Sequence, residues 1–88
     1  MVGPIITLTT DFGWGSGYVA QLKAAVWELC PAARLVDISH SVSPQNIHEA
    51  NFLMRQVAFA FGVGTVHVVV VDPGVGTSRR GLVCRARG

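Results

Sequence analysis

One segment narrows the possible folds of this chain more than any other: Thr65-Val66-His67-Val68-Val69-Val70-Val71. Successive residues of a strand point to opposite faces of the sheet. Here both alternating sets are mostly apolar, so a strand over Thr65 to Val71 needs cover on both sides. That is the situation of a central strand in a parallel sheet. Parallel neighbours cannot be joined by a tight turn, and their crossover is usually a helix.

The rest of the chain supplies such units. Ile5 to Thr9 is a short β-branched run that reads as a first buried strand. Gly13, Gly15 and Gly17 mark the loop after it. A helix follows from about Tyr18 to Cys30, with Val19, Leu22, Val26 and Leu29 at helical spacing and Pro31 as its stop. Leu35 to Ile38 reads as the second strand. Ser43 and Pro44 suit the start of a second helix, Ser as N-cap and Pro in the first turn. Its apolar stripe is Ile47, Ala50, Met54, Val57, Ala58 and Phe61, and Gly62 suits its C-cap. After the Thr65 to Val71 strand, Gly81 to Arg85 reads as the start of a fourth. The expectation is an α/β fold with a parallel β-α-β-α-β order and right-handed crossovers. The sequence stops as the fourth strand begins, so residues 1–88 are expected to be an incomplete α/β domain.

Composition agrees with the need for cover. Half the chain is hydrophobic and 14% is charged, against roughly a quarter in an ordinary soluble domain. This excludes a disordered tail. It suggests that partner surface, or further sequence, covers the apolar faces. The net charge is +2, and Arg79, Arg80, Arg85 and Arg87 hold four of the seven cations. No aromatic interleaves these arginines, so a nucleic-acid face is not favoured. Cys30 and Cys84 form neither a disulfide framework nor a metal-ligand pattern. No metal or cofactor is expected, and a reduced, cytoplasmic setting is the simplest reading. Met1 to Thr10 lacks a basic leader. The uncharged stretch Gln56 to Val71 is broken by Gly62, Gly64 and His67, so no membrane span is expected.

Ligands of open parallel sheets bind beyond the carboxyl ends of the strands. Three loops lie there, and each begins at or near an aspartate: Asp11, Asp37 and Asp72. Asp11 suits two roles. Its carboxylate can accept both hydroxyls of a ribose diol, or it can cap the following turn, which is the simpler role for this segment alone. The glycines around it do not match GxGxxG, so a dinucleotide fingerprint is not supported. Asp72-Pro73-Gly74-Val75-Gly76-Thr77-Ser78-Arg79-Arg80 combines glycines, hydroxyls and arginines, a set that suits an anion. It is not a Walker A loop. If the first and third strands are neighbours, Asp11 and Asp72 face one crevice. His67 reads as a hydrogen-bonded core residue and His48 as solvent-facing. His40 can line the crevice, although a structural hydrogen bond is its simpler role. Trp14 is the aromatic available to lie over a base, whereas Trp27 packs.

With these segments in view, a resemblance follows from residues 6–13 (Ile-Thr-Leu-Thr-Thr-Asp-Phe-Gly), 18–23 (Tyr-Val-Ala-Gln-Leu-Lys), 36–40 (Val-Asp-Ile-Ser-His), 64–77 and Arg79. The chain resembles the amino-terminal part of the S-adenosyl-L-methionine (SAM) hydrolase family, also called SAM hydroxide adenosyltransferases. That family is related to the SAM-dependent fluorinase and chlorinase. The resemblance implies an amino-terminal α/β domain, a β-rich carboxyl-terminal domain that this chain lacks, and trimers with SAM bound between subunits. It implies SAM as substrate, with no separate cofactor, and hydrolysis to adenosine and methionine. Asp11 would hold the ribose hydroxyls. Asp72 and Arg79 would belong to an Asp–Arg–His set that positions and activates water. The family's histidine falls beyond residue 88, and none of His40, His48 or His67 matches it. Asp72 and Val75 stand where the halogenases carry Tyr and Thr, which points to water rather than halide. Gln45 replaces an aromatic that covers the ribose in the fluorinase, and Ser16 stands where many members carry an acidic residue. The rival reading is a non-catalytic module that binds a nucleoside or oligomerises.

Overall fold

The computed structural model describes residues 3–44 and 46–71. The element order is β1 (Ile5–Thr10), α1 (Tyr18–Leu29), β2 (Arg34–Ser39), α2 (Ile47–Val57), a short 3-10 turn (Ala58–Ala60) and β3 (Val66–Val70). The three strands form one parallel sheet in the order β2-β1-β3. The fold is α/β, with the helices as crossovers between parallel strands.

Among the described strands β1 is the central one and β3 lies at an edge. Ile6 to Thr10 are all buried, whereas Val66 and Val69 of β3 are exposed. The order of these three strands depends on the direction in which each crossover runs. The first crossover steps from β1 to β2 on one side. The second passes back over β1 to its other side. Right-handed crossovers in opposite directions put their helices on opposite faces of the sheet.

The packing agrees with that arrangement. Ile6, Leu8 and Ala33 form the core on one face, with Leu22, Val26 and Cys30 of the α1 segment and Leu35 and Val68 packed against it. The packed stripe of the first helix is therefore Val19, Leu22, Val26 and Cys30. Leu29, placed on that stripe by its spacing, is 89% exposed. On the other face Ile47, Ala50 and Met54 of α2 line a groove of about 400 Å³ with Val69 and Val71.

The second helix starts later than Ser43 and Pro44 suggest. Asn46 is the N-cap, and its side chain accepts from the Glu49 N–H at 3.0 Å. Ser43 is engaged elsewhere: its N–H and its hydroxyl both donate to the Glu49 carboxylate, at 3.0 and 2.8 Å. Asn46 thus satisfies one of the helix's open N–H groups, while Glu49 ties the preceding loop to the first turn. Gly81 to Arg85, the expected fourth strand, lies outside the described residues, as does Cys84. No helix among the described residues is long and apolar enough to cross a membrane.

Candidate functional site

The sheet order creates a topological switch point. From β1 the chain steps to β2 on one side, and β3 then returns to the other. Crevices for ligands lie beyond the carboxyl ends of the strands at such a point. Here that point is the border of β1 and β3. Their register runs from Ile6↔Val66 to Thr10↔Val70, so both strands end at the same level. The Asp11 N–H donates to the Val70 carbonyl at 3.3 Å. Asp11 therefore stands at the switch point, half-buried, beside the strand that leads through Val71 to Asp72. The neighbour relation on which a shared Asp11–Asp72 crevice depends is present. Asp72, Val75 and Arg79 lie outside the described residues, as does Gln45.

The loop that carries Asp11 is held from several directions. Phe12 N–H donates to Thr10 Oγ1 at 3.2 Å. Gly13 N–H donates to the His40 carbonyl at 2.8 Å, and Val42 N–H donates to the Thr10 carbonyl at 3.4 Å. Gly13 has φ +79°, a left-handed conformation that glycine adopts without strain. The glycine is thus what lets the chain turn back onto the β2 loop.

Sequence reasoning did not find the polar chain beneath this loop. Lys23 Nζ donates to Asp37 Oδ2 at 2.8 Å. Asp37 Oδ1 lies 2.7 Å from His40 Nε2, and His40 Nδ1 lies 2.7 Å from Thr10 Oγ1. A carboxylate only accepts, so Nε2 carries a proton and donates to Asp37. A register shift between Leu8 and Thr9 pairs Thr9 with Ser39. It advances β2 by one residue and brings His40 level with Thr10. His40 and Thr10 are both fully buried, whereas Lys23 and Asp37 are partly exposed. Desolvation pushes the Asp37 carboxyl up, but the hydrogen bonds and charges of Lys23 and His40 outweigh it and hold the group below its usual value. The available sequence signal was the Asp37/His40 spacing at a strand end, which placed His40 near the crevice and favoured a structural bond. That bond is present.

His67 and His48 fall as their sequence context suggests, whereas Trp27, expected to pack, is 44% exposed. His67 Nδ1 lies 2.6 Å from Thr7 Oγ1, with the Phe61 ring edge-on at 5.8 Å. His48 is exposed. Trp27 donates to the Ala33 carbonyl at 2.9 Å. Trp14 meets the His40 ring edge-on, centroids 4.7 Å apart, yet remains 58% exposed beside the Asp11 loop. Among the described residues no three His, Cys, Asp or Glu side chains are grouped as metal ligands.

The model of the SAM hydroxide adenosyltransferase N-terminal domain matches residues 6–88. The chain belongs to the SAM hydroxide adenosyltransferase family. It is 39% identical over 83 residues to an (R)-S-adenosyl-L-methionine hydrolase from Salinispora arenicola, covering 94% of this chain and 31% of that protein. It is 31% identical over 84 residues to a fluorinase from Actinoplanes sp., covering 96% of this chain and 28% of the fluorinase. A crystal structure of an uncharacterized conserved protein from Thermotoga maritima superposes with a TM-score of 0.79 at 42% identity, over 84% of this chain and 28% of that one. The chain thus spans about a third of the curated SAM hydroxide adenosyltransferase relatives it matches.

Proposed function

We propose that this chain carries the ribose-holding and nucleophile-positioning part of a site that hydrolyses S-adenosyl-L-methionine to adenosine and L-methionine. The pairing of β1 with β3 carries the reading, because it sets Asp11 beside the strand that leads into Asp72. The names of the SAM hydrolase relatives support the substrate.

In this reaction a water oxygen forms a bond to the ribose 5′ carbon. The carbon–sulfur bond breaks, its electron pair leaves with the neutral thioether of methionine, and the water gives up a proton. The leaving group needs no acid. The barrier lies in presenting a partly desolvated, hydroxide-like oxygen in line. Asp11 accepts from the ribose hydroxyls and fixes the 5′ carbon, an orientation effect that lowers the barrier without new chemistry. Asp72 orients the attacking water, and Arg79 stabilises the negative charge it gathers. Gripping the sulfonium with carboxylates would not accelerate the step, because that charge vanishes in the transition state. Val75 offers a halide no hydrogen bond, and the Asp72 carboxylate repels one.

Incubation with SAM in oxygen-18 water tests the reading. Labelled adenosine together with methionine supports it. A second reading, binding without catalysis, is favoured by the exposure of Phe52, Phe59 and Val63. Saturable adenosine binding with no product above the blank selects that reading. The proposal carries with it a cytoplasmic homotrimer, which sedimentation tests through the mass of the assembly.

A further inference from the structure

We propose that His40 is a positioning residue for the Asp11 carboxylate, acting through Thr10 and the backbone of Phe12 and Gly13; this rests on the reading of Asp11 as the ribose-holding group. Three consecutive N–H groups, Asp11 to Gly13, are engaged, and each has a different partner. Asp11 is tied to Val70 of β3, Phe12 to the Thr10 hydroxyl, and Gly13 to the His40 carbonyl. Two of these three ties run through His40. Its carbonyl accepts from Gly13 directly. Its ring holds the Thr10 hydroxyl that accepts from Phe12.

The ring is fixed in turn. Nε2 bonds Asp37, Asp37 is held by Lys23, and the Trp14 edge stands against the imidazole. Turning a fully buried imidazole would leave buried polar atoms unpaired, which is unfavourable. Thr10 Oγ1 can donate to Nδ1 when the ring is neutral and accept from it when the ring is charged, so the tie holds in both states. The backbone that carries the Asp11 carboxylate thereby keeps its place relative to the end of β3 before any ligand arrives. A diol then binds a loop that is already ordered, and less freedom is lost on binding.

The test compares Thr10→Val, which removes the hydroxyl but keeps the shape, with Thr10→Ser, which keeps the hydroxyl. Amide hydrogen exchange at Phe12 and Gly13 and calorimetric adenosine affinity are measured on the 88-residue chain. Thr10→Val is expected to lose protection at Phe12 and to bind adenosine about tenfold more weakly. Thr10→Ser is expected to restore both. His40→Ala is expected to weaken binding at least as much, and if it fails to fold, the threonine pair carries the test. Thr10→Val that loses protection at Phe12 yet binds adenosine like the unaltered chain overturns the positioning role alone. Unchanged protection at Phe12 overturns it as well. An unaltered chain that binds no adenosine overturns the ribose reading, and the positioning role with it.

Discussion

On one side of β1, Ile6 and Leu8 pack against α1 in an apolar core. On the other, Thr7 and Thr9 are as deeply buried. Burial among the described strands therefore follows a strand's place rather than its hydrophobicity. β1 is flanked by strands on both edges, so even its threonines are enclosed. β-Branched threonine packs well on a pleated surface but brings a hydroxyl that needs a partner. Thr7 finds His67, and Thr10, which alternation puts on the Ile6 and Leu8 side, finds His40. Among the described residues Thr9 Oγ1 is buried without a hydrogen-bond partner. The apolar face holds the strand in place. The hydroxyls link it to its neighbours, and at the carboxyl end that linkage reaches the Asp11 loop.

The contrast can be broken most directly from the apolar side. Leu8→Ala removes a side chain with 0% exposure and is expected to destabilise the chain by about 2–5 kcal/mol in denaturant unfolding. A loss under about 1 kcal/mol would contradict the role given to the α1 face. Thr7→Val keeps the shape and removes the partner of His67 Nδ1. It is expected to cost about 1–2 kcal/mol by the same measurement, and His67→Phe in that background is expected to recover part of the loss.

Asp37→Asn is a smaller change, because an amide oxygen still accepts from His40 while the charge facing Lys23 is gone. The pair is partly exposed, so about 0.5–1 kcal/mol is expected at neutral pH. The sign of its pH dependence follows from the lowered carboxyl. The folded value lies below the unfolded one, so Asp37 contributes fully above the usual 3.8 and loses its contribution as the pH falls through the folded value. Unfolding curves collected across that acid range are expected to converge for the two proteins. Thr9→Val is the sharpest contrast to Thr7→Val. The same substitution one pleat along removes an unpaired hydroxyl and is expected to be neutral or to stabilise by up to about 1 kcal/mol. A clear loss of stability would show that Thr9 has a polar partner in solution.

Much of this architecture is legible in the sequence, for local reasons. The β-branched runs, the helical spacing of Val19, Leu22 and Val26, and Pro31 after the first helix all act over a few residues. Asp11 reads as a strand-end residue because a glycine-rich loop follows it. What is not legible depends on distant choices. The place of β1 between β2 and β3 follows from crossover directions, which no residue pattern records. The start of α2 turned on a competition between Ser43 and Asn46, decided by Glu49 engaging Ser43. The Lys23–Asp37–His40–Thr10 chain needs a register shift between β1 and β2 to form, and periodicity does not encode such a shift. Asp72, Val75 and Arg79, the other half of the proposed site, rest on sequence and family membership.

The most direct test of the β1–β3 site is an NMR titration of the chain with adenosine, read at the backbone amides. Saturable shifts are expected at Asp11, Phe12, Gly13, Val70 and Val71, abolished in Asp11→Asn. Shifts confined to the groove lined by Ile47, Ala50 and Met54, or shifts that survive Asp11→Asn unchanged, would contradict it.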